Sequence, residues 1–257
     1  MINAIYKKHG LRINAIWFCR DTREAINHNK TDFIFFHGIQ ENCFINAISS
    51  IQYTLMTDLA FPSEAIFKKF SKNYQYEINR AKKENVECLI FKAGDLIKNP
   101  AILSAFKREY VDFTKIKGIQ NTYNEYIMKE YIAKGNVLLT KAFKGDEDYA
   151  QHIYVCDGQD ARLLYSVSNF RTEGLDRNLV GRANKYLHWN DIQYLQNHEY
   201  QTLDWGGISN MTNPNGVDKF KIEFGGHEHK YYNVIIGKSL IGWLAIFAMK
   251  VKGRICI

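Results

Sequence analysis

Apolar and polar positions along this chain follow two periods, and the places where one gives way to the other outline its elements. Short apolar runs at Ala15 to Cys19, Phe33 to Phe36 and Ile51 to Leu55 read as strands. Pro62-Ser63 then opens a helix in which Phe67, Phe70, Tyr74, Ile78 and Ala81 recur at steps of three and four. Lys68, Lys69, Lys72, Asn73 and Arg80 lie off that stripe, so the helix is basic and amphipathic. Val86 to Phe91 reads as a strand, Leu103, Phe106, Tyr110 and Phe113 mark a second helix, and Tyr123 to Ala133 a third.

The chain then changes character. Val137 to Thr140, Ala150 to Cys156 and Ala161 to Ser168 are successive strands, the last two joined by the hairpin signal Asp157-Gly158-Gln159-Asp160. A helix over Arg182 to Asn197 carries Tyr186, Trp189, Ile192 and Leu195 on one side. Strand Thr202 to Trp205, helix Gly216 to Phe224, strand Tyr231 to Ile236 and a closing helix complete the order. The pattern predicts an α/β protein with a mixed sheet. The closing run, Ser239 to Met249 between Lys238 and Lys250, is too short to span a bilayer. It reads as a core helix, with a membrane-surface helix as the alternative.

Composition narrows the classes. A chain of 257 residues needs no staples to bury a large core. Its five cysteines, Cys19, Cys43, Cys88, Cys156 and Cys256, are scattered singly, without zinc spacing, and read as reduced thiols. No apolar stretch follows a basic start, so a secretory signal is not expected and a cytoplasmic location is. The net charge of +7 favours anionic partners, but the lysines are spread out and their aromatic neighbours do not cluster as in RNA readers.

The most specific wording is Asp204-Trp205-Gly206-Gly207 at a strand end, followed by Phe220-Lys221-Ile222-Glu223-Phe224-Gly225-Gly226. Paired glycines there expose backbone to close approach. These pieces, with the basic helix of Phe67 to Lys83 before them, resemble the Fem branch of the GNAT acyltransferase superfamily over roughly residues 53 to 236. The resemblance implies a mixed, mainly antiparallel GNAT-type sheet flanked by helices. It also implies a reduced GNAT-like half over residues 1–85 and an acyltransferase core over 86–257. Fem-type enzymes that use charged tRNA are longer, whereas compact members resemble coenzyme-A-dependent N-acyltransferases of nucleotide-linked amino sugars. That class implies acyl-CoA and a dTDP-linked 3-amino-3,6-dideoxyhexose as substrates, surface-polysaccharide synthesis as the pathway, no metal and no nucleic acid. A homodimer is left open, and aminoacyl transfer from tRNA onto a peptidoglycan precursor is the alternative reaction.

The resemblance places the coenzyme on backbone near Val167, Ser168 and Asn169, where strands splay, and on the pyrophosphate loop approximated by Asn178-Leu179-Val180-Gly181-Arg182-Ala183, with Arg177 beside it. Direct transfer needs a neutral acceptor amine and donors facing the oxygen that gains charge. Asp204 is the leading candidate to hold or deprotonate that amine, against the plainer reading of a carboxylate capping the next turn. Lys221 is a candidate for the oxyanion or a phosphate, and His188 for a base, against an ordinary helix histidine. Trp205 reads as a stacking platform or a core residue, with Gly206 and Gly207 beside it at the substrate. Lys72 and Arg80 read as an acceptor-diphosphate clamp or a solvated face. His227 and His229 read as plain loop residues, since no third metal ligand accompanies them.

Overall fold

The computed structural model describes residues 1–27 and 30–251; Cys256 lies outside them. Within the described residues one ten-stranded sheet carries nine helices. β1 (Ile2–Lys8) and β2 (Leu11–Trp17) form a hairpin whose turn, His9-Gly10, has both φ angles positive, as a tight primed turn requires. α1 (Thr22–Asn27) leads to β3 (Phe33–Ile39) and β4 (Ile48–Asp58). The expected single basic helix is two: α2 (Ser63–Lys69) and α3 (Lys72–Lys83). Phe70 turns extended between them, and the Ser71 side chain accepts from the Tyr74 amide to start the second.

β5 (Glu87–Lys92) is followed by α4 (Ala93–Lys98), α5 (Pro100–Lys117) and α6 (Glu125–Ala133), then by the meander β6 (Val137–Lys144), β7 (Glu147–Cys156) and β8 (Asp160–Ser168). α7 (Arg177–Asn197) crosses to β9 (Thr202–Ile208), which parallels β8. α8 (Gly216–Ile222), β10 (His227–Gly237) and α9 (Leu240–Val251) close the chain. The sheet order is β1-β2-β3-β10-β4-β9-β8-β7-β6-β5, parallel only at β2/β3 and β8/β9. The expected mixed, mainly antiparallel sheet flanked by helices is thus what the chain forms.

Helices cover the sheet on both faces. α4, α5 and α6 lie over β1, β2 and the meander, burying Phe106, Tyr131, Ile153 and Tyr165. α2, α3 and α7 cover the opposite face, where Phe70, Tyr74, Ile192, Leu203, Trp205 and Phe224 interlock. On the face of α4 to α6, α9 packs over the Phe33 and Ile48 ends of β3 and β4 and over β10, and the cleft described below lies between it and those helices. No helix of the described residues is long and apolar enough to cross a membrane.

The link from α8 into β10 needs glycine. Gly226 sits at φ 94°, and a Cβ on it would lie 2.8 Å from the Met56 carbonyl oxygen. Gly226→Ala is expected to lower stability by about 2 kcal/mol or more, read as a lower urea midpoint at unchanged slope.

Candidate functional site

Alternation along β9 decides which residues meet. Asp204 points to the open face, its neighbours Leu203 and Trp205 to the helix-covered one. Asp204 stands opposite Arg162 of β8 and Met56 of β4, so all three project into one cleft of about 680 Å³. Trp17 and His37 from the paired ends of β2 and β3, and His227, His229 and Tyr231 from β10, complete its walls. Arg20, Gln40, Glu41, Asp58 and Asp160 surround it with polar groups of both signs.

At the floor, the Arg162 guanidinium pairs with Asp204 Oδ2, both side chains about nine-tenths buried. The same guanidinium lies 5.0 Å from the Trp17 ring centre and 5.2 Å from that of Tyr231, so two electron-rich faces flank the cation. Trp17 is itself fixed: its indole N–H donates to Tyr131 Oη at 2.6 Å, and its ring stacks on His37 at 4.0 Å. Burial, with Arg162 nearby, drives the His37 pKa down to about 3, which keeps that imidazole neutral. Asp204 Oδ1 accepts from the Gly206 amide at 2.8 Å and from Thr54. Asp204 thus anchors Arg162 through Oδ2 and caps the following turn through Oδ1.

The parallel pairing of β8 with β9 stops at this point. Its register runs Asp160↔Thr202, Ala161↔Leu203, Arg162↔Asp204 and no further. Gly206, at φ 77°, makes the bulge that swings β9 away, and a Cβ there would meet the Leu163 carbonyl at 3.1 Å. Beyond it Leu163–Ser168 pairs only with β7 among the described residues, so its other edge is open. Val167 is buried against the α5 side, Ser168 pairs with Ala150, and the Asn169 side chain donates to the Asp148 carbonyl. Lys221 reaches this split from α8: Nζ donates to the Gly207 carbonyl at 2.8 Å and lies 3.5 Å from the place a Gly206 Cβ would take. Burial and the Arg162 charge bring its pKa down to about 8.

Other sequence candidates lie elsewhere. α7 begins at Arg177, so Asn178 to Ala183 is its first turns and not a loop ahead of it. Asp176 caps that helix through the Asn178 amide, and Arg182 is held by Glu84 in a two-bond pair at 2.8 and 2.9 Å. Gly181 packs beside Phe170. Lys72 and Arg80 stand on the exposed side of α3, Arg80 paired with Glu84, and neither lines the cleft. Trp205 is 1% exposed, stacked on Phe224 and bonded through its N–H to Thr57: a core residue, because it falls on the opposite pleat from Asp204. His227 and His229 are strand residues on one face, not loop residues. Their imidazoles face the cleft, and His229 meets Gln40 at 3.0 Å.

His188 is also on the far face, 2% exposed among Trp205, Phe220 and Phe224, with its pKa pushed far down by burial. It stacks on His152, whose Nδ1 and the Tyr154 hydroxyl both meet Asp191 Oδ2 at 2.7 Å. Ligand atoms of His152, His188 and Asp191 lie within 4.8 Å of one another. His152, Asp191, Tyr154 and Asn184 form a buried hydrogen-bond network, against which His188 stacks with its Nδ1 unpartnered among the described residues.

Arg162, Trp17, His37 and Tyr231 were not singled out from sequence. Arg162 had a signal, a lone guanidinium inside the apolar run Ala161 to Ser168. The other three are aromatic residues that look like core until the strand order brings them together.

No described protein family matches the sequence, and no curated protein is similar to it in sequence. Among solved structures, FemX is similar in fold, at a TM-score of 0.62 and 12% identity over 90% of this chain and 83% of that one. So is the C-terminal domain of a protein described as a lysylphosphatidylglycerol synthetase from Agrobacterium fabrum, at 0.59 and 12% over 96% and 84%. L-PGS from Bacillus licheniformis follows at 0.53 and 9% over 98% and 86%. At such identities the likeness is one of fold: this chain shares the fold of FemX and of the synthetase domain.

Proposed function

We propose that this chain is a Fem-type aminoacyltransferase, moving an aminoacyl group from an activated ester, aminoacyl-tRNA, to a nucleophile on a cell-envelope precursor. The observation that carries the choice of donor is the start of α7. There the Asp176 carboxylate occupies the helix N-terminus and Glu84 occupies Arg182, so the protein's own acidic groups sit where an acyl-CoA pyrophosphate would need amides and a free guanidinium. Likeness of fold to FemX and to a protein named for joining lysine to a phospholipid supports the same choice. We read residues 1–85 and 86–257 as a reduced and a full GNAT-like half.

In this reading the donor ester lies along the open edge of Leu163–Ser168, and the acceptor enters from the cleft. The neutral acceptor nitrogen attacks the ester carbonyl, the carbonyl oxygen takes up negative charge, and as the bond to the ribose oxygen breaks that oxygen takes the proton the nitrogen gives up, leaving an amide and a free ribose hydroxyl. No covalent enzyme intermediate is needed. Lys221, held at the split by Gly207, supplies positive charge to the developing oxyanion. Arg162, locked by Asp204 and two aromatic faces, orients an anionic part of the acceptor.

The deciding assay offers the purified chain labelled aminoacyl-tRNAs with a peptidoglycan-precursor fraction, and in parallel acyl-CoAs with nucleotide-linked amino sugars. Label appearing in the precursor is the expected result. Thiol release that depends on a dTDP-amino sugar, without aminoacyl transfer, would overturn the reading in favour of a sugar N-acyltransferase.

Two substitutions separate chemistry from folding. Lys221→Ala is expected to lower kcat/KM about 100-fold or more with a melting temperature close to that of the parent chain. Asp204→Asn strands the buried Arg162 cation and is expected to cost about 3 kcal/mol or more of stability, visible as a lower urea midpoint. Because the Lys221 pKa is lowered to about 8, the ammonium is lost as pH rises through that value, and kcat/KM should fall with it. Lys221→Arg, which stays charged, should keep its residual activity across the same range.

A further inference from the structure

The closing helix, α9, does not behave as a core helix. Gly242 and Ile246 are buried, with Ala245 and Met249 half-buried beside Phe33 and Ile48. Gly242 lets the helix backbone lie on Asp32 and Gly237; a Cβ there would fall on the Asp32 carbonyl. The rest of the helix is equally apolar and faces outward. Leu240, Leu244, Phe247 and Val251 are 78%, 60%, 64% and 71% exposed, with Trp243 and Ile241 flanking them at 55% and 61%. On a 100° wheel these six cover a continuous arc, and no polar side chain interrupts it.

Charge says what covers this arc. Lys238 and Lys250 bracket the helix, Lys252 and Arg254 follow in the sequence, and no acidic residue occurs after Glu228. Asp32, the carboxylate nearest the helix start, is turned inward to the Ser239 hydroxyl and the Arg12 amide. Two copies of α9 packed about a two-fold axis would bring cationic ends together, whereas an anionic bilayer meets both ends and the apolar arc at once. A helix of twelve residues is only about 18 Å long, so it lies in the interface and does not span it. Trp243, an amphipathic ring at the flank of the arc, suits the headgroup level.

We propose that α9 docks this chain on the surface of membranes containing anionic phospholipid, with Leu244 and Phe247 at the centre of the inserted face. The helix sits on the same sheet face as the cleft: along β3, Phe33 packs under α9 and His37 lines the cleft wall. Docking therefore holds the cleft close to the bilayer. The proposal does not depend on the reaction, since it is tested by binding alone.

The full chain is sedimented with phosphatidylcholine vesicles with and without phosphatidylglycerol. Partitioning about tenfold or more stronger on the anionic vesicles is expected, weakening with salt and accompanied by a blue shift of tryptophan emission. Leu244→Ser with Phe247→Ser, at exposed positions that leave the fold intact by circular dichroism, should remove at least about tenfold of that binding. Lys250→Glu should weaken binding to anionic vesicles alone. Equal partitioning of parent and double variant overturns the proposal. So does a parent dimer, detected without vesicles and abolished by the same double variant, because the arc would then belong to a second copy.

Discussion

The pair formed by Arg162 and Asp204 stands at the last rung where β8 and β9 run together, and much of the local architecture follows from it. A buried guanidinium is tolerated only with its charge matched and its donors satisfied. Here one carboxylate and two aromatic faces provide that match. The same carboxylate accepts from Gly206, which bends β9 outward, so the rung that closes the parallel ladder also starts its divergence. One interaction thereby sets both the floor of the cleft and the mouth of the split.

The sheet separates two chemistries across a single layer of backbone. On one face are Arg162, Asp204, His37 and Tyr231 with access to solvent through the cleft. On the other, His188 and Asp191 of α7 and His152 of β7 are sealed between helix and sheet with aromatic rings around them. Lys221 belongs to neither wall. It comes from the helix side yet ends beside the Gly206 bulge, so it lies where both faces are within reach of one ammonium. The repulsion it feels from Arg162 follows from that position.

Elements with long, regular periodicity were legible in the sequence: α5, α6, α7 and the meander of β6 to β8 fall where the apolar spacing put them, within a few residues at each end. The break at Phe70-Ser71 was not, because steps of three and four continue across it while a serine cap interrupts the backbone. β1 and β2 were passed over or cut short because both carry polar residues on one face, and α4 is a single short turn pair. At the site, Asp204 and Lys221 stood out from the wording around them. Trp205 and His188 were drawn in by the same wording, but period two and the depth of α7 put them behind the sheet. Residues gathered from β2, β3 and β10 had no signal, since only pairing between distant segments makes them neighbours.

That distance has a cost during synthesis. β10 lies between β3 and β4, paired along both edges, although nearly 170 residues of chain separate it from β4. Until Gly237 has left the ribosome, the first three strands have no seat beside the fourth, and two bare strand edges wait in the nascent chain. Assembly must therefore finish from its last strand, a zip fastener whose slider is fitted only after the teeth are cut, which favours slow folding. Cells making this protein would gain from a chaperone that shields those edges over the final stretch of translation.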